Sequence, residues 1–191
     1  QGLWRLSGAL TDALRRATLA HAGTPLQGAR ASYALEMRAA QLVNGRQWAE
    51  ADLRTPLAVS RMTVGSEAAD AFAQGYAALQ RCDLPAAAAQ LDRFAGLQAR
   101  VASRPDYTLP GTVDALAKAL APAIAFQAGR RDEALALIGE ANRIEDALPI
   151  EFGPPTIVKP TWELRGEMLL AMGQPQEAKA AFARSLALQP N

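Results

Sequence analysis

From residue 67 onward the chain repeats one arrangement three times: a helix-length stretch, a tight junction and a second helix-length stretch. Residues 67–81 lead through Asp83-Leu84-Pro85 into 86–101. Residues 113–128 lead through Gly129 into 132–147, and residues 161–172 lead through Gly173 into 176–188, which Pro190 stops. Pro85 suits the first turn of a helix, where its missing N–H would have had no partner. Longer connections, SRPDYTLPGT (103–112) and LPIEFGPPTIVKP (148–160), separate the pairs. Helix pairs recurring in this way cannot bury their apolar faces alone, so they are expected to stack into an array.

Residue usage points the same way. The chain has 43 Ala and 25 Leu against 11 Val plus Ile. Alanine and leucine lose little on entering a helix, whereas β-branched side chains lose rotamer freedom there. An all-α fold is therefore expected, and a β-sandwich or barrel is not. Upstream of the repeats, residues 3–20 place Leu3, Leu6, Leu10, Leu14 and Ala17 at helical spacing. Residues 30–43 continue as a helix stopped by Asn44-Gly45, and 47–54 read as a short return helix, together a fourth, degenerate hairpin. Ser66 is placed to cap the next helix, and Pro122 predicts a kink or early break in the one after it.

The composition excludes several function classes. Seventeen arginines and three lysines are balanced by 19 acids and scattered, without the basic stripe that nucleic acid requires. No apolar run approaches the roughly 18 residues that span a membrane, and the start carries no signal-peptide pattern, so no membrane insertion is expected. One cysteine, Cys82, and one histidine, His21, leave neither an intrachain disulfide nor a Cys/His zinc cluster. No phosphate-cradling glycine loop, metalloprotease helix, serine-hydrolase elbow or calcium loop is present. No cofactor or metal is expected.

In the last hairpin, Trp162, Gly166, Ala178, Phe182 and Pro190 fall at the spacing W-x2-L-G-x2-Y…A-x3-F…P. Arg165 stands where that pattern has Leu, and Leu169 where it has Tyr. Small Gly166 and Ala178 let two antiparallel helices cross closely, with Trp162 and Phe182 filling the space beside them. Gly75, Ala87 and Leu91 keep the intervals of Gly166, Ala178 and Phe182, and Cys82 sits where Gly173 does. Ala134 and Ile138 follow Gly129 in the same way, so copies recur at about 44–47 residues rather than 34. The chain thus resembles tetratricopeptide-repeat proteins over residues 67–190 and, more loosely, over 30–190.

The resemblance implies one domain over 1–191, an α-solenoid of antiparallel hairpins wound as a right-handed superhelix. The segment EFGPPTIVKPTWELRGEMLLAMGQPQEA is similar to the C-terminal part of longer bacterial proteins of this family, some of them exported. A longer parent chain is expected on that ground. The compartment stays open between the cytoplasm and the bacterial extracytoplasmic (periplasmic) space, and the resemblance leans to the latter.

In such a stack the first helix of each pair lines a concave surface. With the last hairpin as frame, Glu163, Glu167 and Leu170 face it, with counterparts Phe72, Tyr76, Leu79 and Gln80 in one pair. In the middle pair they are Ala119, Ala123, Phe126 and Gln127. The expectation is a peptide groove aromatic at one end, shallow in the middle and acidic at the other, suited to a segment with an apolar anchor and a Lys or Arg. The competing reading makes Phe72 and Tyr76 core and the glutamates merely solvated. Two like charges four residues apart repel, which calls for a basic neighbour. They do not face each other across a substrate, as acid/base catalysis requires.

Non-catalytic protein or peptide binding is the function expected. The alternatives are a structural segment self-associating through the uncapped last hairpin, with Ala181 as a surface position there, and the regulatory part of a longer enzyme. In the loop 148–160, Pro154-Pro155 predicts an ordered segment. Phe152 and Ile157 are expected to tuck under it as a satellite core, or Glu151 and Phe152 to sit at the groove's rim.

Overall fold

The computed structural model describes residues 2–20, 26–55, 62–103, 106, 108, 111–149 and 157–188. Over these residues the chain is all-helical, with no strand. The helices are α1 (Gly2–Ala20), α2 (Leu26–Val43), α3 (Ala51–Arg54), α4 (Val64–Gln80), α5 (Leu84–Ser103), α6 (Thr112–Gln127), α7 (Arg131–Asp146), α8 (Thr161–Ala171) and α9 (Pro175–Leu188). Three local expectations are corrected. The return helix over 47–54 shrinks to the single turn α3, so the degenerate hairpin has one long helix. The cap of α4 is Thr63, whose hydroxyl accepts from the Ser66 N–H, while Ser66 lies inside the helix. Pro122 does not break α6, which continues to Gln127; the proline is fully buried, and the packing around it outweighs the lost backbone bond.

The three junctions share one geometry. Asp83 N–H donates to the Ala78 carbonyl, Arg130 N–H to Ala125 and Gln174 N–H to Leu169, each at 2.9 Å. This six-to-one bond closes a helix end only when the residue before it takes a left-handed conformation. Gly129 and Gly173 do so at φ 82° and 75°, and Cys82 does so at φ 60° despite its side chain. With so short a link, the second helix must fold back along the first.

Each pair packs most closely within itself: α4 on α5, α6 on α7 and α8 on α9. Pairs then meet through α4 on α6, α5 on α6, α6 on α8 and α7 on α8, while α2 packs on α4 and α1 on α2. One buried core runs from α2 to α8, through Leu42, Phe72, Phe94, Leu116, Leu120 and Ile138. A smaller cluster in the last pair joins Leu169, Ala178 and Ala181 to Trp162 and Phe182. Ala181 is buried there, not a surface position.

Small residues set the helix spacing. A Cβ on Gly166 would stand 2.6 Å from the Phe182 ring, and one on Gly75 2.7 Å from a Leu120 methyl. Polar groups fix the order of the stack. Arg38 of α2 makes two 2.8 Å bonds to the Asp70 carboxylate of α4, both side chains buried. The start of α4 is satisfied from the 103–112 connection, by Asp106 on Val64 N–H and Thr108 Oγ1 on Gly65 N–H, both at 2.7 Å.

Two stability outcomes follow from this geometry. Gly166→Ala is expected to lower unfolding free energy by about 1–3 kcal/mol through overpacking against Phe182. Gly96→Ala in α5, where a Cβ meets nothing within 4 Å, should raise it by about 0.5–1 kcal/mol. Cys82→Gly relieves a left-handed conformation that costs a non-glycine residue about 1–2 kcal/mol, less the added chain entropy, and should raise stability by about 0.5–1 kcal/mol. Urea denaturation of the three variants reads all of these signs.

Candidate functional site

The residues singled out from sequence divide sharply once placed. Phe72 is fully buried in the main core, and Leu79, Ala119 and Ala123 are buried too, so none of them can touch a partner. That corrects Phe72 as a groove residue: it stacks on Tyr76 at 6.0 Å between ring centroids and supports it from beneath. Phe126 is half-buried and packs on the same core. Gln80 and Gln127 are exposed, the Gln127 amide lying 3.7 Å from the Cys82 sulfur. Leu170 is 56% exposed, while the side chains of Glu163 and Glu167 are 40% and 38% exposed.

Tyr76 and Glu167, expected at opposite ends of a groove, meet. The Tyr76 hydroxyl donates to Glu167 Oε2 at 3.3 Å, although 91 residues separate them. Their repeat counterpart on helix α6 is the buried Ala123. The basic group that the paired glutamates call for is Lys159, just ahead of α8. Its amine donates to Glu163 Oε1 at 2.7 Å and to Glu167 Oε1 at 2.6 Å, and lies 5.7 Å from the centroid of the Tyr76 ring. Trp48, from the turn before α3, meets Tyr76 edge-on at 6.4 Å.

Lys159 is buried, so its charge needs these partners. Burial alone would lower its pKa; the Glu167 carboxylate, Tyr76 and Glu163 outweigh that and hold the ammonium above the usual lysine range. Burial raises the Tyr76 phenol first, Glu167 adds to it and Lys159 opposes it, with the net result pushed up to about 12. Near neutral pH the cluster therefore holds a neutral phenol and an ammonium beside the Glu163 and Glu167 side chains, with the cation inside.

Local chemistry explains why this piece of chain lies where it does. Ile157 and Val158 enter the main core between the helices, not a satellite cluster of their own, and carry Lys159 inward. Thr161 then fixes the start of α8. Its backbone N–H and its hydroxyl both donate to Glu145 Oε2, while Asn142 Nδ2 donates to the hydroxyl at 2.8 Å. Burial pushes the Glu145 carboxyl above its ordinary value, an effect the two Thr161 bonds only partly offset and Asp146 reinforces. Trp162 Nε1 donates to Asp146 at 2.9 Å, pinning the other side. Glu151 and Phe152 lie outside the described residues.

Among the described residues no group of three or more His, Cys, Asp or Glu is placed to hold a metal ion. Nor, among them, is any helix long and apolar enough to cross a membrane. Comparison with protein-family models, with curated proteins and with solved structures found no match for this chain.

The raised phenol sets an alkaline prediction with a definite sign. A folded-state pKa above the unfolded value of 10 leaves stability intact below pH 10 and removes it as pH rises toward 12. At about 1.4 kcal/mol per unit, the loss attached to Tyr76 is about 2–3 kcal/mol. Lys159, also raised, contributes loss in the same direction. Tyr76→Phe should therefore flatten the fall in stability between pH 10 and 12 without abolishing it, measured by urea denaturation across that range.

Proposed function

We propose that this chain is a non-catalytic protein- or peptide-binding module of tetratricopeptide-repeat type. Its hairpins are stacked as a right-handed α-solenoid, and a partner segment is held on the face of the first helices α4, α6 and α8. The observation that supports this reading is the exposed stripe on α8. Glu163 and Glu167 keep about two-fifths of their side chains open while Lys159 holds them in place, and Leu170 stands more than half exposed on the same helix. A carboxylate whose position is already fixed loses little side-chain freedom when a cation arrives. The segment that suits the stripe carries an apolar side chain for Leu170 and a Lys or Arg for the open side of Glu163. Its main chain or polar side chains reach Gln80 and Gln127.

The reading dictates which residues test it. Phe72→Ala, Tyr76→Ala or Glu167→Lys would damage core packing or the buried lysine, and would report on folding. Glu163→Gln with Leu170→Asp leaves an amide oxygen to accept from Lys159 while removing the open charge and the apolar contact a partner would use. Captured from a native lysate and read by mass spectrometry, a genuine partner should be retained by the wild-type chain and lost by this double variant, both shown folded by circular dichroism. The same proteins recovered with both baits would remove the groove from consideration. A second reading, self-association through the last hairpin, is favoured by Leu186, 62% exposed on α9. It requires a dimer in light scattering that Leu186→Asp dissolves.

A further inference from the structure

We propose that the leucine stripe of α1 is a second docking surface, distinct from the α8 stripe, and that its occupant is a partner's amphipathic helix with acidic flanks. The argument starts from the place α1 holds. Both α5 and α7 pack most closely on the first helix before them and then on the first helix after them. α1 packs on α2, the long helix that follows it, in the way α5 packs on α6; the preceding contact has no counterpart. It therefore takes the place of a second helix, with no first helix packed before it among the described residues.

The side chains agree. α1 meets α2 through its small and polar face: Gln41 Nε2 donates to Ser7 Oγ at 3.2 Å and to Thr11 Oγ1 at 3.0 Å, and Thr18 is fully buried. Leu6 and Leu10 turn away from the body, 58% and 54% exposed, with Ala9 and Ala13 exposed beside them. At 3.6 residues per turn this stripe lies about a quarter-turn round the axis from the α2 face. That is the separation with which one helix can address two neighbours. Leucine ridges beside an alanine groove form the surface into which another helix's ridges pack. Of the described helices α1 also separates apolar from polar residues most sharply.

Charge selects the kind of helix. α1 itself holds three arginines, Arg5, Arg15 and Arg16, against Asp12, a net +2 in a chain whose total is +1. Exposed Arg16 lies near the alanine edge of the stripe. A second copy of α1 would bring like charge to this edge, whereas a helix flanked by Glu or Asp complements it.

The probe is a labelled synthetic peptide that forms an amphipathic helix, with leucine and alanine on one face and glutamates flanking that face at both ends. Fluorescence anisotropy against the 191-residue chain should show saturable one-to-one binding. Leu6→Glu with Leu10→Glu should weaken it at least tenfold, added salt should weaken it, and Leu170→Asp, an exposed position on α8, should leave it unchanged. Should the double glutamate variant lose helicity by circular dichroism, Leu6→Gln with Leu10→Gln gives the same comparison. No saturable binding, or equal binding by wild type and variant, overturns the proposal. So does light scattering that finds a wild-type dimer split by Leu10→Glu, which gives the face to a second copy. Sedimentation with phosphatidylglycerol vesicles that the variant abolishes overturns it as well, in favour of a lipid surface.

Discussion

The close approach of helices through small side chains is the constraint on which the rest of this structure depends. The buried faces of α4 and α6 are lined with alanine, including Ala68, Ala69, Ala71, Ala73, Ala77, Ala115 and Ala119, all without solvent contact. Gly75 and Gly166 sit at crossings that a single Cβ would obstruct. Helices so lined come near enough for a few larger side chains, Phe72, Phe94, Leu116, Leu120 and Ile138, to fill what remains. It also explains why the tight junctions matter. A helix pair that must approach closely along its length needs its second member returned at once, and a left-handed residue does this in three positions.

The same close spacing turns the expected groove into something different. Tyr76 and Glu167 reach each other, and Lys159 settles between the glutamates and the ring. The aromatic and acidic ends become one ionic cluster, anchored from below by the core and from the side by Glu145 and Thr161. An ammonium buried without these partners would be costly. What stays open is the outer edge of α8, with the two outward-facing glutamines at the ends of α4 and α6.

Much of this was legible in the residues. The repeat intervals placed the long helices to within a few residues and set Cys82 level with Gly173, and the structure gives the two the same left-handed backbone, because junction geometry is local. The repulsion between Glu163 and Glu167 announced a cation. Which cation was not legible, since Lys159 comes within reach only through the burial of Ile157 and Val158. Phe72 was misplaced for a related reason. Repeat equivalence assigns a position on a helix face, but exposure depends on how deep the neighbouring helices sit, and Phe72 ends fully enclosed in the core. The effect of Pro122 and the shortness of α3 were likewise decided by neighbours.

By itself, then, the sequence determined the all-helical character of this protein, the pairing of its helices and the small residues at their crossings. Those properties follow from backbone propensity, turn chemistry and volume, which act over a few residues. Only the tertiary structure decided that Tyr76 meets Glu167 across 91 residues, that Lys159 lies inside, and that the leucines of α1 face outward. These are outcomes of distance and burial between segments remote in the chain, where no interval along the sequence reports how closely two helices come to rest.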